Sequence, residues 1–387
     1  MKVSILVSDL SENPIVRVYP IAKVLSKYYS VEIIGPIFGE KIFPAYANEF
    51  TFKTVQGCNY PGFFRQMWQI VKEVEGDVIY AFKPRPSSFF PGLLASWLQR
   101  KPILVDIDDC ELAPYHEMKK SMARSTFFKR FVLRGWKAPN DYKYIVFANR
   151  LVAFATQVSV VSDNLLRQFG GMKLYHGVDT EFFNPHRCNS RVELRKKWNI
   201  PFRNKVIIFT GTPRRHKGLE ELLRAMSLVD PKYRLELLVV GGKLSGQIEQ
   251  KLLTDMRRRI KEVEYQRHEV MPELLHLSDL VVLPQAKSLI SKAQIPAKLF
   301  EAMAMAKPII STAISDLPEI LNDCGIVIKP GDTKALAENI QYILENPEIS
   351  RTMGKKARAK CIQLYSYEAM AKVLMPVFKQ FEKKLYS

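Results

Sequence analysis

The stretch Pro296–Ala297–Lys298–Leu299–Phe300–Glu301–Ala302–Met303–Ala304–Met305–Ala306–Lys307–Pro308–Ile309–Ile310–Ser311 spells a helix that opens on proline and gives way, past Lys307–Pro308, to a β-branched strand. Proline suits a first helical turn because the N–H it lacks would have no partner there. The helix is apolar and small-residued, and Glu301 is the one carboxylate in it. Such a group is rarely buried without a partner, so Glu301 is expected either to hold a ligand group or to sit exposed on an outer turn.

Outward from this stretch, β-branched runs alternate with longer helical segments. The runs are Val3–Val7, Val31–Ile34, Val78–Phe82, Ile103–Ile107 and Val158–Val161, then Val206–Phe209, Leu235–Val240, Leu280–Leu283, Ile309–Ser311 and Ile326–Ile328. Two sets of five in this alternation are the pattern of βαβ units in parallel sheets covered on both faces. At 387 residues the chain also exceeds the usual size of one core. Between the sets lies Tyr175–His176–Gly177–Val178–Asp179–Thr180, followed by Glu181–Phe182–Phe183–Asn184–Pro185, a turn-rich passage with no period. The expected domains are 1–175 and 176–365, with 366–387 as a closing helix. Its Met370, Val373, Leu374, Val377, Phe378 and Phe381 recur at helical spacing, which suits packing back across the first domain.

Upstream, Val206–Ile207–Ile208–Phe209–Thr210 runs into Gly211–Thr212–Pro213–Arg214–Arg215–His216–Lys217–Gly218. A glycine turn between a strand and a helix points free N–H groups and the positive helix end at an anion, which suits phosphate. Arg214, Arg215 and Lys217 offer the charge to offset a departing diphosphate; the competing reading is a solvated basic turn.

This segment resembles the G-x-x-x-x-x-K-G loop of retaining glycosyltransferase family 4, the glycosyl transferases group 1, in which the lysine and a nearby arginine hold the donor diphosphate. Lys217 matches the lysine; Thr212 occupies the usual arginine place, so Arg214 or Arg215 stands in. The opening stretch resembles the family's E-A-M-A-x-x-x-P-[VI]-[VI] segment, whose glutamate binds the ribose hydroxyls and whose helix start faces the phosphates. Val158–Leu165 with His176–Thr180 is similar to the passage joining the family's domains, with His176 in place of asparagine, and Leu277–Pro284 resembles the strand before the donor site. The resemblance implies an α/β, GT-B fold: two Rossmann-like domains with parallel sheets facing across a cleft, and the C-terminal helix packing back on the first. It implies donor-nucleotide contacts at Gly211, Thr212, Arg215, Lys217, Lys298, Leu299 and Glu301, and catalytic roles for Lys217, Arg214 and Asp108. Retention would proceed by front-face attack, with the leaving phosphate helping to take the acceptor proton, so no protein nucleophile, metal or cofactor is expected.

The family's usual second glutamate, eight residues before the ribose-binding one, is Ala293 here. Ser291, Lys292, Ala293 and Gln294 are therefore the expected donor-sugar segment. In the first domain Val105–Asp106–Ile107–Asp108–Asp109–Cys110–Glu111 ends a strand in four carboxylates, and Asp108 stands where many relatives have histidine. An acid at a strand's carboxyl end is placed to hold an acceptor hydroxyl; a metal site and helix capping by Asp109 are the alternatives. Lys83 and Arg85, also past a strand, suit an anionic acceptor, and His116 is a second-rank candidate.

The net charge of +19 predicts an anionic partner: phosphate-bearing substrate, anionic lipid or nucleic acid. Five widely spaced cysteines without a C-x-x-C pair argue against a disulfide framework or zinc site. No signal-peptide core or membrane-spanning run is read, so a cytoplasmic protein is expected. Between Met118 and Lys143 stand Lys119, Lys120, Arg124, Lys129, Arg130, Arg134, Lys137 and Lys143 against the single acid Asp141, interleaved with Phe127, Phe128, Phe131 and Trp136. Such a segment suits an anionic bilayer surface, or equally an ordinary helix that buries its aromatics and solvates its charge. The expected activity is transfer of a hexose-type sugar from a UDP-sugar to a glycan or lipid-linked acceptor at the cytoplasmic face of a membrane. One rival keeps the fold but acts as an epimerase or phosphorylase; the other is a non-enzymatic nucleic-acid-binding protein, against which no helix-turn-helix, zinc or RNP-like motif is found.

Overall fold

Nine of the ten β-branched runs become the central strands of two parallel sheets, and the tenth, Ile326–Ile328, becomes an edge strand. The computed structural model describes residues 1–43, 50–133, 135–244, 246 and 248–386. They form two units, Met1–His176 with Tyr367–Ser387, and Gly177–Ser366.

In the first unit β1 (Lys2–Leu6), β2 (Ser30–Ile37), β3 (Phe52–Gln56), β4 (Val78–Phe82), β5 (Ile103–Ile107), β6 (Gln157–Val160) and β7 (Met172–Lys173) make one parallel sheet in the order β3-β2-β1-β4-β5-β6-β7. Its helices are α1 (Ile15–Leu25), α2 (Phe63–Glu73), α3 (Pro86–Gln99), α4 (Ala113–Ser121), α5 (Arg124–Phe127), α6 (Tyr142–Leu151) and α7 (Asp163–Phe169). In the second unit β8 (Lys205–Thr210), β9 (Leu235–Val240), β10 (Ile260–Val263), β11 (Leu280–Leu283), β12 (Ile309–Thr312) and β13 (Ile326–Ile328) run parallel in the order β10-β9-β8-β11-β12-β13. Around them are α8 (Arg191–Lys197), α9 (Leu219–Leu228), α10 (Gln250–Met256), α11 (Met271–Leu277), α12 (Leu289–Ala293), α13 (Ala297–Ala304), α14 (Leu317–Leu321), α15 (Thr333–Glu345) and α16 (Pro347–Leu364).

The chain then returns to the first unit as α17 (Tyr367–Tyr386). Leu374, Phe378 and Phe381 of α17 are buried with Val18, Ile21 and Val24 of α1 and with Tyr80 and Phe82 of β4, and Phe378 stacks on Tyr29 at 5.7 Å. The helical repeat of apolar residues thus serves to complete the first unit's core.

Strands β3, β7 and β10 lie at sheet edges and were not among the ten expected runs. An edge strand is half solvated, so polar residues such as Lys53, Lys173, Lys261 and Glu262 dilute the continuous apolar run that marks a strand buried on both faces. In both sheets the strand order reverses, between β1 and β4 and between β8 and β11. Ligands of open parallel sheets bind outside the carboxyl ends of the strands at such a point.

Candidate functional site

At the reversal in the second unit, β8 ends at Thr210 and β11 at Leu283, and the loops after them are tied together. Gly211 has φ +90° and donates its N–H to Val240 O at 2.7 Å; Gly241 has φ +101° and donates to Val263 O at 3.0 Å. A Cβ on Gly241 would lie 3.4 Å from Gly211 Cα, so the ends of β8 and β9 touch backbone to backbone. Gly218 enters α9 in the left-handed region at φ +69°, and a Cβ there would fall 1.6 Å from Pro284 O. His216 O accepts the N–H of Ala286 at 2.9 Å. Only glycine allows this approach, which fixes Arg214–Lys217 against the segment after β11.

Into this edge α13 delivers two side chains one turn apart. Lys298 donates to Thr210 O at 3.1 Å, and its ammonium lies 3.6 Å from the centre of the Phe209 ring. Lys217 donates to Thr212 O at 2.6 Å and stands 5.9 Å from the same ring. Burial, then the Lys217 charge, holds the Lys298 ammonium well below its ordinary range, with Glu301 opposing. Burial pushes Glu301 up to about 7 against the pull of Lys298. The Lys217 ammonium, the Lys298 amine that a bound anion would favour charging, and the raised carboxyl suit an anion beside hydroxyl donors. Arg214 and Arg215 are exposed, and neither makes an ion pair among the described residues.

Two features here have no counterpart in the sequence reading. Gly241–Gly242 follows β9 as Gly211 follows β8, a strand–glycine signal visible in the sequence. Tyr265, two residues beyond β10, has a half-exposed ring whose phenol is pushed up to about 12 by partial burial and by the Glu301 carboxylate. No local motif marks it, because its nearness to Glu301 arises from the β10-β9-β8-β11-β12-β13 order.

The expected donor-sugar segment is partly corrected. Ser291 is buried, donates to Ala286 O at 2.6 Å and closes a capping box with Ser288, so its hydroxyl serves the start of α12. Ala293 is fully buried and presents no side-chain surface to a sugar. Lys292 is exposed and Gln294 half-buried. Leu299 is fully buried, so any contact it makes with a nucleotide is through its backbone. Gln285, just past β11, is buried with its side-chain oxygen unpaired.

In the first unit the four clustered carboxylates divide. Asp106 is fully buried and takes Arg17 through two bonds, 2.9 Å from Nε and 3.0 Å from Nη2, plus the Ser159 hydroxyl at 2.6 Å. The others converge on Lys83, whose ammonium lies 2.5 Å from Asp109, 3.1 Å from Asp108 and 3.2 Å from Glu111; Arg85 reaches Glu111 at 2.6 Å. Lys83 holds this place from a left-handed backbone, φ +65°, with its N–H on Asp106 O at 2.8 Å. The expectation that Lys83 and Arg85 present free positive charge to an anionic acceptor is therefore corrected, since three carboxylates already neutralise them. Burial pushes Asp108 up to about 6 despite Lys83, a value at which it exchanges a proton near neutrality. Helix capping by Asp109 is not seen: α4 begins at Ala113, with Leu112 at its N-cap and no side-chain cap. The cation these acids surround is an ammonium, and among the described residues no group of three or more His, Cys, Asp and Glu is arranged to hold a metal. His116 is exposed on α4.

The basic segment folds as the end of α4, α5 and a π-helical turn, Phe128–Leu133. Phe127 is buried, 4.9 Å from the Phe131 ring and 5.4 Å from Tyr142, so it is core and not an anchor. Phe128 and Trp136 are exposed, and Arg134 lies outside the described residues. Among the described residues no helix is long and apolar enough to cross a membrane.

Residues 190–360 match the family model described as glycosyl transferases group 1. The chain is 26% identical over 178 residues to the N-acetyl-alpha-D-glucosaminyl L-malate synthase of Bacillus anthracis, covering 46% of this chain and 45% of that protein. It is 22% identical over 277 residues to the alpha-maltose-1-phosphate synthase of Mycolicibacterium smegmatis, covering 64% and 70%. The chain spans about half the length of most curated relatives it matches. Among solved structures, Anabaena Alr3699/HepE in complex with UDP superposes with a TM-score of 0.72 at 20% identity, covering 98% of this chain and all of that one. WaaG, a glycosyltransferase of lipopolysaccharide biosynthesis, gives 0.68 at 16% identity over 97% of this chain and 100% of its own. At these identities the superpositions show the fold. With the Gly211–Gly218 loop and the Pro296–Ser311 segment both inside the matched stretch, residues 190–360 are similar to the glycosyl transferases group 1, and the chain as a whole has the GT-B fold of these solved structures, with two units each built on a parallel sheet.

Proposed function

We propose that this chain is a retaining glycosyltransferase that moves a hexose-type sugar from a nucleoside diphosphate sugar to a hydroxyl of a glycan or lipid-linked acceptor, as a peripheral protein at the cytoplasmic face of a membrane. The observation that carries the reading is the meeting at one strand edge of two lysine side chains, Lys217 and Lys298, with the raised carboxyl of Glu301. A diphosphate would favour the charged form of both amines, and a carboxylate suits ribose hydroxyls. UDP is favoured as the nucleotide, in keeping with the UDP and UDP-glucose complexes of Alr3699/HepE.

In this mechanism Lys217, with Arg214 or Arg215, stabilises charge as it builds on the leaving diphosphate, an interaction stronger in the transition state than in the ground state. The leaving phosphate helps to take the acceptor proton, and the protein supplies position and charge without a metal. Asp108, with its carboxyl near 6, is assigned to hold the acceptor hydroxyl. The basic segment around Lys119, Lys120, Lys129 and Arg130 is assigned to draw the first unit to anionic lipid. Protection against thermal unfolding by UDP-, GDP- and ADP-sugars tests the donor assignment, because a ligand of the folded state raises stability by mass action. Protection by none of them refutes the reading, and turnover of a protecting sugar nucleotide without any acceptor would replace transfer with epimerisation.

A further inference from the structure

Helices α2, α3 and α6 lie side by side in the first unit, α3 packing against both others. Their outward faces are aromatic: Phe64 is 60% exposed, Trp68 47%, Trp97 77%, Phe147 53% and Phe154, in the turn directly after α6, 72%. Some of these rings touch neighbouring aromatics in two separate groups. Phe147 meets Phe90 of α3 at 5.9 Å, and Phe64 meets Tyr60 at 5.3 Å. Tyr60 meets Tyr144 of α6 at 4.7 Å, and Tyr144 meets the exposed Trp136 of the basic segment at 6.1 Å. Exposed residues repeat at helical spacing, Phe64, Trp68 and Lys72 on α2 and Phe147, Arg150 and Phe154 along α6 and its turn.

Large aromatic surface left uncovered over several neighbouring elements marks a contact site. Charge selects the partner. Arg65 and Lys72 on α2, Arg150 on α6 and Arg100 at the end of α3 are exposed among these helices, and Glu73 is the single carboxylate within the three helices. Tryptophan and phenylalanine with a fringe of lysine and arginine, almost without acids, match the headgroup layer of an anionic bilayer, where the rings reach acyl chains and the cations meet phosphates.

We propose that the outer face of α2, α3 and α6 is the surface through which the first unit lies in an anionic bilayer. The basic segment after Met118 is then the electrostatic margin of this face, and the apolar hold comes from Trp68, Trp97, Phe147 and Phe154. The inference rests on the reading of a membrane-borne acceptor and deepens it by naming the contact surface.

Three of the four tryptophans, Trp68, Trp97 and Trp136, belong to this region, and Trp198 lies in the second unit. In a Trp198→Phe chain, vesicles of phosphatidylcholine with about a third phosphatidylglycerol, brominated on the acyl chains, are expected to quench the emission. Part of that quenching persists in about 0.5 M salt, which screens charge attraction and leaves apolar insertion. Replacing Trp68, Trp97, Phe147 and Phe154 by serine is expected to weaken co-sedimentation at least about tenfold. Because all four side chains are exposed, UDP protection against unfolding should remain and serves as the control for folding. Vesicle binding without quenching, or undiminished binding of the serine variant, overturns the proposal. So does concentration-dependent self-association without vesicle binding, which would assign the face to a second copy of the chain. Absence of UDP protection in the unaltered protein would instead refute the nucleotide-sugar reading, leaving the vesicle result to be judged by itself.

Discussion

Glu301 should give donor binding a pH dependence that an ordinary ribose-binding carboxylate would lack. Its carboxyl is pushed up to about 7 by burial, with Lys298 as the opposing influence. Ribose hydroxyls donate to a carboxylate and gain little from a neutral acid, so the donor selects the ionised form and lowers this pKa on binding. With a free-state value of about 7, roughly a tenth of the sites are ionised at about pH 6 and roughly nine tenths at about pH 8. Affinity for UDP-glucose is therefore expected to rise about tenfold across that interval, in proportion to the competent fraction. A nucleotide sugar is the right probe because its diphosphate is esterified at both ends and has no proton to lose near neutrality. Lys298, also shifted by burial, works in the opposite sense, since it loses charge as the pH rises. A rise with pH is thus the mark of Glu301, and Glu301→Gln should abolish it while lowering affinity at the alkaline end. Calorimetric titration in two buffers of different protonation enthalpy measures both the affinity and the proton released. Flat affinity with no proton release, or an unchanged slope in Glu301→Gln, refutes the reasoning.

Lys217→Ala should lower turnover by about 10²–10³, the range for one electrostatic contact to a transition state, with the fold intact; near-normal turnover removes Lys217 from the mechanism. Gly218→Ala places a Cβ where Pro284 O now lies and keeps it in the left-handed region, so UDP protection should be lost before the fold is; an unaffected thermal shift would show that the loop does not need this approach. Arg17→Met leaves the fully buried Asp106 without its ion partner and should cost about 3–5 kcal/mol by chemical denaturation, much of it recovered by adding Asp106→Asn; a cost below about 1 kcal/mol would mean that water reaches Asp106.

The frame of the second unit's candidate site, a glycine turn after β8 and the α13 helix before β12, was legible because it is local in the sequence. Gly211–Gly218 joins a strand to a helix and Pro296–Ser311 carries a helix and then a strand, so both segments stand out locally, while the roles expected of Lys217, Lys298 and Glu301 rest on the resemblance to the family. Tyr265 and Gln285 were not legible, because each follows an ordinary strand and acquires its place only through strand order. Ser291 misled for a related reason: its hydroxyl reads as available, yet the capping box that consumes it depends on Ser288 and the Ala286 carbonyl turning back onto it.

The first unit shows the other limit. Asp106, Asp108, Asp109 and Glu111 alternate and crowd in one short run, and nothing in that run says which acid turns inward to Arg17 and which meet Lys83. Those partners lie 89 and 25–28 residues away in the chain, on α1 and after β4, and pairing over such separations is decided by the order in which parallel strands assemble. The aromatic face of α2, α3 and α6 is of the same kind. Each helix alone is an ordinary mixture of apolar and polar residues, and only their packing side by side reveals which rings the core leaves outside. The sequence by itself determined the periodicities, and with them the sheets, the central strands and the glycine loop after β8, because hydrophobic spacing and glycine geometry act between near neighbours. Only the tertiary structure decided which charges neutralise one another and which surface stays uncovered, because burial and ion pairing depend on contacts between residues that the chain itself keeps far apart.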